Sequence, residues 1–80
     1  MIKGNYECDA IVDARQDVCP MPLLKAKMAL SKLQSGQLLA VEACDAGSWK
    51  DIPFYVEQVG HTLRHKNEKD GVYIFVIEKK

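Results

Sequence analysis

The residues of this chain best suited to chemistry are the cysteine and two prolines of the run Cys-Pro-Met-Pro at positions 19–22. A strongly helical run follows, and proline is tolerated in a first helical turn, where its missing N–H has no intrahelical partner. We therefore predict a helix entrance with Cys19 as its N-cap. Unpaired backbone N–H groups and the helix dipole favour thiolate at that position. The Cys19 pKa is predicted to lie below the free-cysteine value of about 8.5.

The sequence around Cys19 limits its mechanism. It has no C-x-x-C partner and no nearby histidine, and the chain has no nucleophile-elbow, zinc-protease or phosphate-loop motif. Arg15 and Lys25 can add positive charge only if the loop folds back over the sulfur; ordinary solvated side chains are the alternative. A thiol without a base or resolving cysteine suits carrying a group better than cleaving bonds.

The remaining cysteines are Cys8 and Cys44, so the total is three, without regular spacing. An odd, irregular set argues against a disulfide framework and suits a reducing compartment. His61 and His65 offer only a weak second pair for zinc, so we expect neither a metal nor a cofactor. Cys8 is expected to point inward from the first strand as a core residue. Cys44 is expected to end the second strand near Cys19, with a passive role.

Length and charge exclude several functional classes. Residues 1–80 are expected to form a single domain, too small to enclose a deep catalytic cavity. Lysine plus arginine equal aspartate plus glutamate at eleven each, so no net electrostatic field attracts the chain to nucleic acid or to an anionic membrane. No apolar run approaches the roughly 20 residues of a membrane span, and the first residues lack a signal peptide's apolar segment. We expect a cytoplasmic protein.

Apolar periodicity predicts four strands and two helices. The strands are expected at 6–13, 37–44, 61–66 and 72–77, the first helix at 20–34, and the second from between 48 and 51 to Gly60. The first helix has a predicted buried stripe and a C-cap at Gly36. The stripe consists of Leu23, Ala26, Leu30 and Leu33. The first strand, helix and second strand form a right-handed βαβ unit, which leaves Cys19 beside the carboxyl ends of parallel strands.

The last two strands differ in composition. The run Val-Tyr-Ile-Phe-Val-Ile at 72–77 is apolar on both faces and is predicted to be central, whereas the charged third strand suits an edge. An Asp-Gly pair at 70–71 predicts the hairpin turn between them. Two helices cannot cover both faces of four strands. One sheet face is therefore expected to be partly exposed and available to a partner.

At this point the chain resembles a known family. Asp13, followed by Cys-Pro-Met-Pro-Leu-Leu-Lys-Ala-Lys at 19–27, resembles the signature of the TusA/SirA family of small sulfur carriers. Residues 45–48, 51–53 and 60–61 are similar to that family's second stretch, so the resemblance covers nearly the whole chain. It implies an α/β two-layer sandwich of order βαβαββ, with two helices on one face of a mixed four-stranded sheet, as in the C-terminal domain of translation initiation factor three.

The resemblance also implies a function. Cys19 would be the catalytic residue and carry a persulfide, accepting sulfur from a donor protein of the cysteine desulfurase or rhodanese type and passing it to an acceptor protein. This is a sulfurtransferase role without independent turnover. Asp13 would shape the loop, and Pro20 and Pro22 would hold the helix entrance.

Departures from the family pattern concern mainly the loop before Cys19. Gln16 stands where the family usually has glycine, Asp17 where an apolar residue is common, and Ala46 where proline is usual. Asp17 is expected to raise the pKa of the thiol through its negative charge. The alternative function is a non-catalytic protein-binding or redox-regulatory module that uses the exposed sheet face. RNA binding rests on fold analogy alone, and neutral net charge disfavours it.

Overall fold

The computed structural model describes residues 8–80 of the chain. Its six elements follow the predicted order βαβαββ. They are β1 (Ala10–Ala14), α1 (Met21–Ser31), β2 (Leu38–Ala43), α2 (Ser48–Val59), β3 (Thr62–Lys69) and β4 (Val72–Glu78). Side chains of both helices pack against one face of the sheet. The predicted α/β two-layer architecture is confirmed.

The four strands form one mixed sheet in the order β1-β2-β4-β3. β1 and β2 are parallel, with Val12 opposite Val41, while β4 runs antiparallel to both β2 and β3. The apolar strands β2 and β4 are central and the charged β3 lies at an edge, as their compositions predicted. Because β1 and β2 are parallel, the loops that follow them leave the sheet at the same end.

The hydrophobic core lies between the sheet and the helices. Alternate residues of the central strands meet one stripe from each helix, and the buried cluster consists of Leu39, Val41, Phe75, Ile77, Ala26, Leu30, Ile52 and Val56. Burying a side chain the size of leucine or phenylalanine contributes about 1.5–3 kcal/mol. This packing fixes where the amino ends of α1 and α2 lie on the sheet.

α1 is shorter than predicted at its carboxyl end, stopping at Ser31 rather than near Gln34. The N–H groups of Lys32 and Leu33 bond to carbonyls three residues back, which tightens the last turn. The Lys79 ammonium also donates to carbonyl oxygens of this turn, one at 2.7 Å and one at 3.2 Å. The predicted C-cap at Gly36 is therefore wrong; that glycine has a positive φ of 90° in the turn after the helix.

α2 begins at Ser48, ahead of the alternative start at Asp51. No side-chain cap forms at its amino end, so the capping box suggested by Ser48 and Asp51 is absent from this helix. Pro53 lies inside α2. Gly60 is the left-handed C-cap with φ 91°, as predicted.

β1 begins at Ala10, later than predicted, and Tyr6 and Glu7 lie outside the described residues. Cys8 precedes the first β1–β2 pair, Ala10 with Leu39, and is only partly buried. Its prediction as a core residue is wrong, because it is only partly buried and is not among the residues that form the core. Burial, then the charge of Asp9, raises the pKa of the Cys8 thiol.

The sheet face away from the helices is less open than predicted. Ile11 is 47% exposed and is the only large exposed apolar side chain on a described strand. Its neighbours across the sheet, Ala40 and Val76, are buried. This face presents too little apolar surface to favour the alternative function of a sheet-docked binding module.

No helix among residues 8–80 is long and apolar enough to cross a membrane.

Candidate functional site

Cys19 lies in the loop between β1 and α1, with an exposed, free thiol. The prediction that Cys19 is the N-cap of α1 is wrong. The first helical hydrogen bond runs from the Leu24 N–H to the Pro20 carbonyl at 3.0 Å. The residue whose carbonyl accepts that bond is the N-cap. Pro20 therefore holds this position, Pro22 is buried in the first turn, and the Cys19–Pro20 peptide is cis. Both prolines lie at the helix entrance as expected.

The thiol is held by the other helix. Cys19 Sγ donates a hydrogen bond to Asp51 Oδ2 at 3.2 Å, and Asp51 belongs to the first turn of α2. Gly47, the N-cap of α2, is so close that a Cβ built on it would lie 3.5 Å from Sγ. Cys19 Sγ therefore lies at the amino end of α2 as well as just before α1.

The sequence did not predict the contact with Asp51, which is 32 residues away in the chain. Its one signal was the place of Asp51 in the second stretch of the family resemblance. Periodicity and spacing assign that aspartate to a helix start, where a first-turn carboxylate is ordinary. Only the packing of α1, α2 and the intervening loops brings it to the sulfur.

Carboxylates dominate the electrostatics of the thiol. The hydrogen bond to Asp51 is the largest cause raising the pKa of Cys19, followed by desolvation and the negative charges of Asp51 and Asp45. The prediction of a lowered pKa is therefore wrong: the helix dipole is opposed by charged groups in closer contact. Asp17, the carboxylate expected to act, instead pairs with Lys25.

The start of the Cys19 loop is held by Asp13 and Arg15. The Asp13 carboxylate accepts the Arg15 backbone N–H at 3.2 Å and two guanidinium N–H groups at 2.9 and 3.1 Å. These bonds lower the pKa of Asp13 to about 2. Arg15 Nε also lies 3.7 Å from Glu42 Oε1 on β2, so the guanidinium group pairs with two carboxylates.

The loop does not need a glycine at position 16. Asp70 is the only non-glycine residue of the described part of the chain with a positive φ, so Gln16 adopts an ordinary backbone conformation. The Asp17 N–H bonds to the Ala14 carbonyl at 3.1 Å, which closes the turn. The departure at Gln16 therefore leaves the loop with standard geometry.

Exposed apolar side chains accompany the thiol. Val18 and Met21 flank the Cys19–Pro20 pair, and Phe54 lies one turn after Asp51 on α2. We call these three residues the thiol-side patch. Cys44 follows the end of β2 and is also exposed. Within residues 8–80 no group of three or more histidine, cysteine or acidic side chains is placed to hold a metal ion.

A family model, named relatives and a solved structure all match this chain and agree with one another. The family described as sulfurtransferase TusA matches residues 10–79. The sulfur carrier protein TusA of Allochromatium vinosum is 41% identical over 71 residues, covering 89% of this chain and 93% of that protein. The Pseudomonas putida TusA is 38% identical over 76 residues, 95% of both chains. The crystal structure of a SirA-like protein from Desulfitobacterium hafniense superposes with a TM-score of 0.78 at 31% identity, covering 86% of this chain and 95% of that one.

Proposed function

This chain belongs to the TusA family, and we propose that it is a sulfur carrier that holds sulfane sulfur as a persulfide on Cys19. The observation that carries this proposal is the placement of Cys19, a free and exposed thiol in the Cys-Pro-Met-Pro run between two helix starts. Sulfur transfer between proteins needs a sulfur atom that a partner can reach. Cys8, partly buried beside Asp9, is less accessible.

The proposed reaction is an exchange of sulfur–sulfur bonds without net oxidation. The Cys19 thiolate attacks the terminal sulfur of a donor persulfide, R–S–SH. The new bond forms between Cys19 Sγ and that sulfur, while the donor's S–S bond breaks and its electron pair leaves on the donor thiolate. The proton first lost from Cys19 returns to that thiolate. Attack by an acceptor thiolate on the Cys19 persulfide repeats the step and regenerates Cys19.

A carrier of this kind needs a donor and an acceptor protein. We propose a donor of the cysteine desulfurase or rhodanese type. The thiol-side patch of Val18, Met21 and Phe54 supports protein partners, since these exposed apolar side chains either flank the Cys19–Pro20 pair or lie one turn after Asp51. A thiol in that position must stay reduced to accept sulfur, so we propose the cytoplasm as its compartment.

The supporting residues of the motif have separate roles in this proposal. Asp13 organises the start of the loop through its bonds to Arg15. Pro20 caps α1, and Pro22 anchors the first turn in the protein interior. Together they present Cys19 at a constant place while partners exchange.

Mass spectrometry tests the proposal after incubation with one of two sulfur donors, a cysteine desulfurase supplied with cysteine or a rhodanese that carries a persulfide. We expect one additional sulfur atom on the wild type and none on Cys19→Ser. Cys8→Ser and Cys44→Ser are the matched controls and should load normally. A sulfur atom that persists in Cys19→Ser, or no loading of the wild type by either donor type, contradicts the proposal.

A further inference from the structure

We propose that Asp51 is a positioning residue that keeps Cys19 as a hydrogen-bonded thiol in the free carrier, and that sulfur transfer requires a partner to break this contact. The inference rests on the proposed function only in naming the reaction that is held back. Sγ lies 3.2 Å from Asp51 Oδ2 and donates to it. A sulfur atom can donate only while protonated, so this contact selects the thiol over the thiolate that attacks.

The charges around Sγ support this role. The charged groups that act on the thiol are Asp51 from α2 and Asp45 from the loop before it. The cations closest to Cys19 in the sequence are engaged elsewhere: Lys25 of α1 pairs with Asp17, and Arg15 pairs with Asp13. No cation of residues 8–80 forms an ion pair with Asp51 or Asp45.

The two aspartates are not equivalent. Asp45 Oδ2 accepts the Gly47 N–H at 3.0 Å, so its carboxylate is fixed within its own loop. Asp51 is the carboxylate in direct contact with Sγ. It is therefore the group that a partner must engage to release the thiol.

This arrangement indicates the chemistry of the partner. A lysine or arginine beside the partner's reactive sulfur would become the ion-pair partner of Asp51 in place of the S–H donor. The Cys19 proton is then free to leave as Sγ attacks, and it ends on the partner's departing thiolate. Until that partner docks, the unloaded thiol reacts slowly with small oxidants and electrophiles, because Sγ stays protonated against Asp51.

The pH dependence of Cys19 alkylation tests the holding role. The measurement uses iodoacetamide on proteins carrying both Cys8→Ser and Cys44→Ser, so that Cys19 is the only cysteine that can be alkylated. Asp51→Asn and Asp51→Ser should shift the rate profile to lower pH and raise the rate at pH 7 about threefold or more. Glu57→Gln, which removes an exposed carboxylate of the same helix that does not act on Cys19, should leave the profile unchanged.

A second measurement tests the cationic partner. The rate of disulfide exchange at Cys19 is compared for cystamine, which is cationic, and bis(2-hydroxyethyl) disulfide, which is neutral. The cystamine preference should fall about threefold or more in Asp51→Asn and persist in Glu57→Gln. An unchanged alkylation profile in both Asp51 variants, with their melting temperatures near wild type, overturns the holding role; an unchanged cystamine preference overturns the cationic partner. Neither assay measures sulfur carriage, so failure of the persulfide proposal would be seen separately.

Discussion

Gly47 leaves only the space of a hydrogen atom toward Cys19: a Cβ built on Gly47 would be in van der Waals contact with Cys19 Sγ, at 3.5 Å, and 2.9 Å from Asp45 Oδ2. The φ of Gly47 is −61°, which any residue adopts, so the backbone does not require glycine here. A side chain at this position would displace the Asp45 carboxylate and lie against the sulfur. The missing side chain leaves room beside the atom that would carry the second sulfur.

Replacing Gly47 by valine should therefore impair sulfur loading. The branched side chain displaces the Asp45 carboxylate and crowds Sγ, and we expect loading to slow about tenfold. The readout is the rate at which the Cys19 persulfide appears by mass spectrometry. Gly36→Val is the matched control: φ there is +90° and nothing lies within 4 Å, so it should cost stability but not loading per folded molecule. Loading of Gly47→Val at the wild-type rate contradicts this prediction.

Asp13 should titrate near pH 2 in the folded protein, because Arg15 holds its carboxylate ionised. Its folded pKa lies below the unfolded value of about 3.9, so its stabilising effect is fully present above about pH 4 and is lost as pH falls toward 2. NMR titration of the side-chain carboxyl carbon measures this midpoint. Arg15→Gln should raise it, whereas Arg64→Gln, which removes a distant ion pair, should not. Equal shifts in the two variants contradict a direct effect of Arg15.

Lys79 should stabilise the end of α1. Its ammonium donates to the Leu30 carbonyl at 2.7 Å and to the Leu33 carbonyl at 3.2 Å. Lys79→Met should lower the free energy of unfolding by about 1–2 kcal/mol, because these carbonyls lose a charged donor. Urea denaturation followed by circular dichroism measures the change. Lys32→Met, at the exposed C-cap of the same helix, should have a smaller effect; an equal loss would indicate general dipole electrostatics instead of the Lys79 bonds.

Lys66 should stabilise the start of α2 through its contact with Trp49. Its ammonium lies 4.0 Å from the centroid of the indole ring. Lys66→Gln should cost about 0.5–1 kcal/mol and change the fluorescence of Trp49, the single tryptophan in the chain. Lys69→Gln, on the same edge strand, should change neither quantity. An unchanged emission spectrum in Lys66→Gln would contradict the contact.

Local patterns in the sequence predicted most of the fold. The apolar run at 72–77 predicted a central strand, and Phe75, Val76 and Ile77 are buried in β4; the charged run of β3 predicted an edge strand, which is where β3 lies. Gly60 ends α2 because the C-cap is left-handed, a conformation that glycine adopts most readily. The same local logic placed Cys19 and both prolines at the entrance of α1. Element ends were less accurate, since they depend on contacts such as Lys79 with α1 that join distant parts of the chain.

The chemical state of the thiol was decided by tertiary structure alone. From the sequence, the helix dipole was the nearest influence on Cys19, and it predicted a lowered pKa. Folding brings Asp51 to within hydrogen-bond distance and adds the charge of Asp45, which reverses that direction. The sequence thus indicated which atom is the candidate for chemistry. Which groups surround that atom depends on how α1 and α2 pack on the sheet, because an electrostatic effect depends on distance in space and not on separation along the chain.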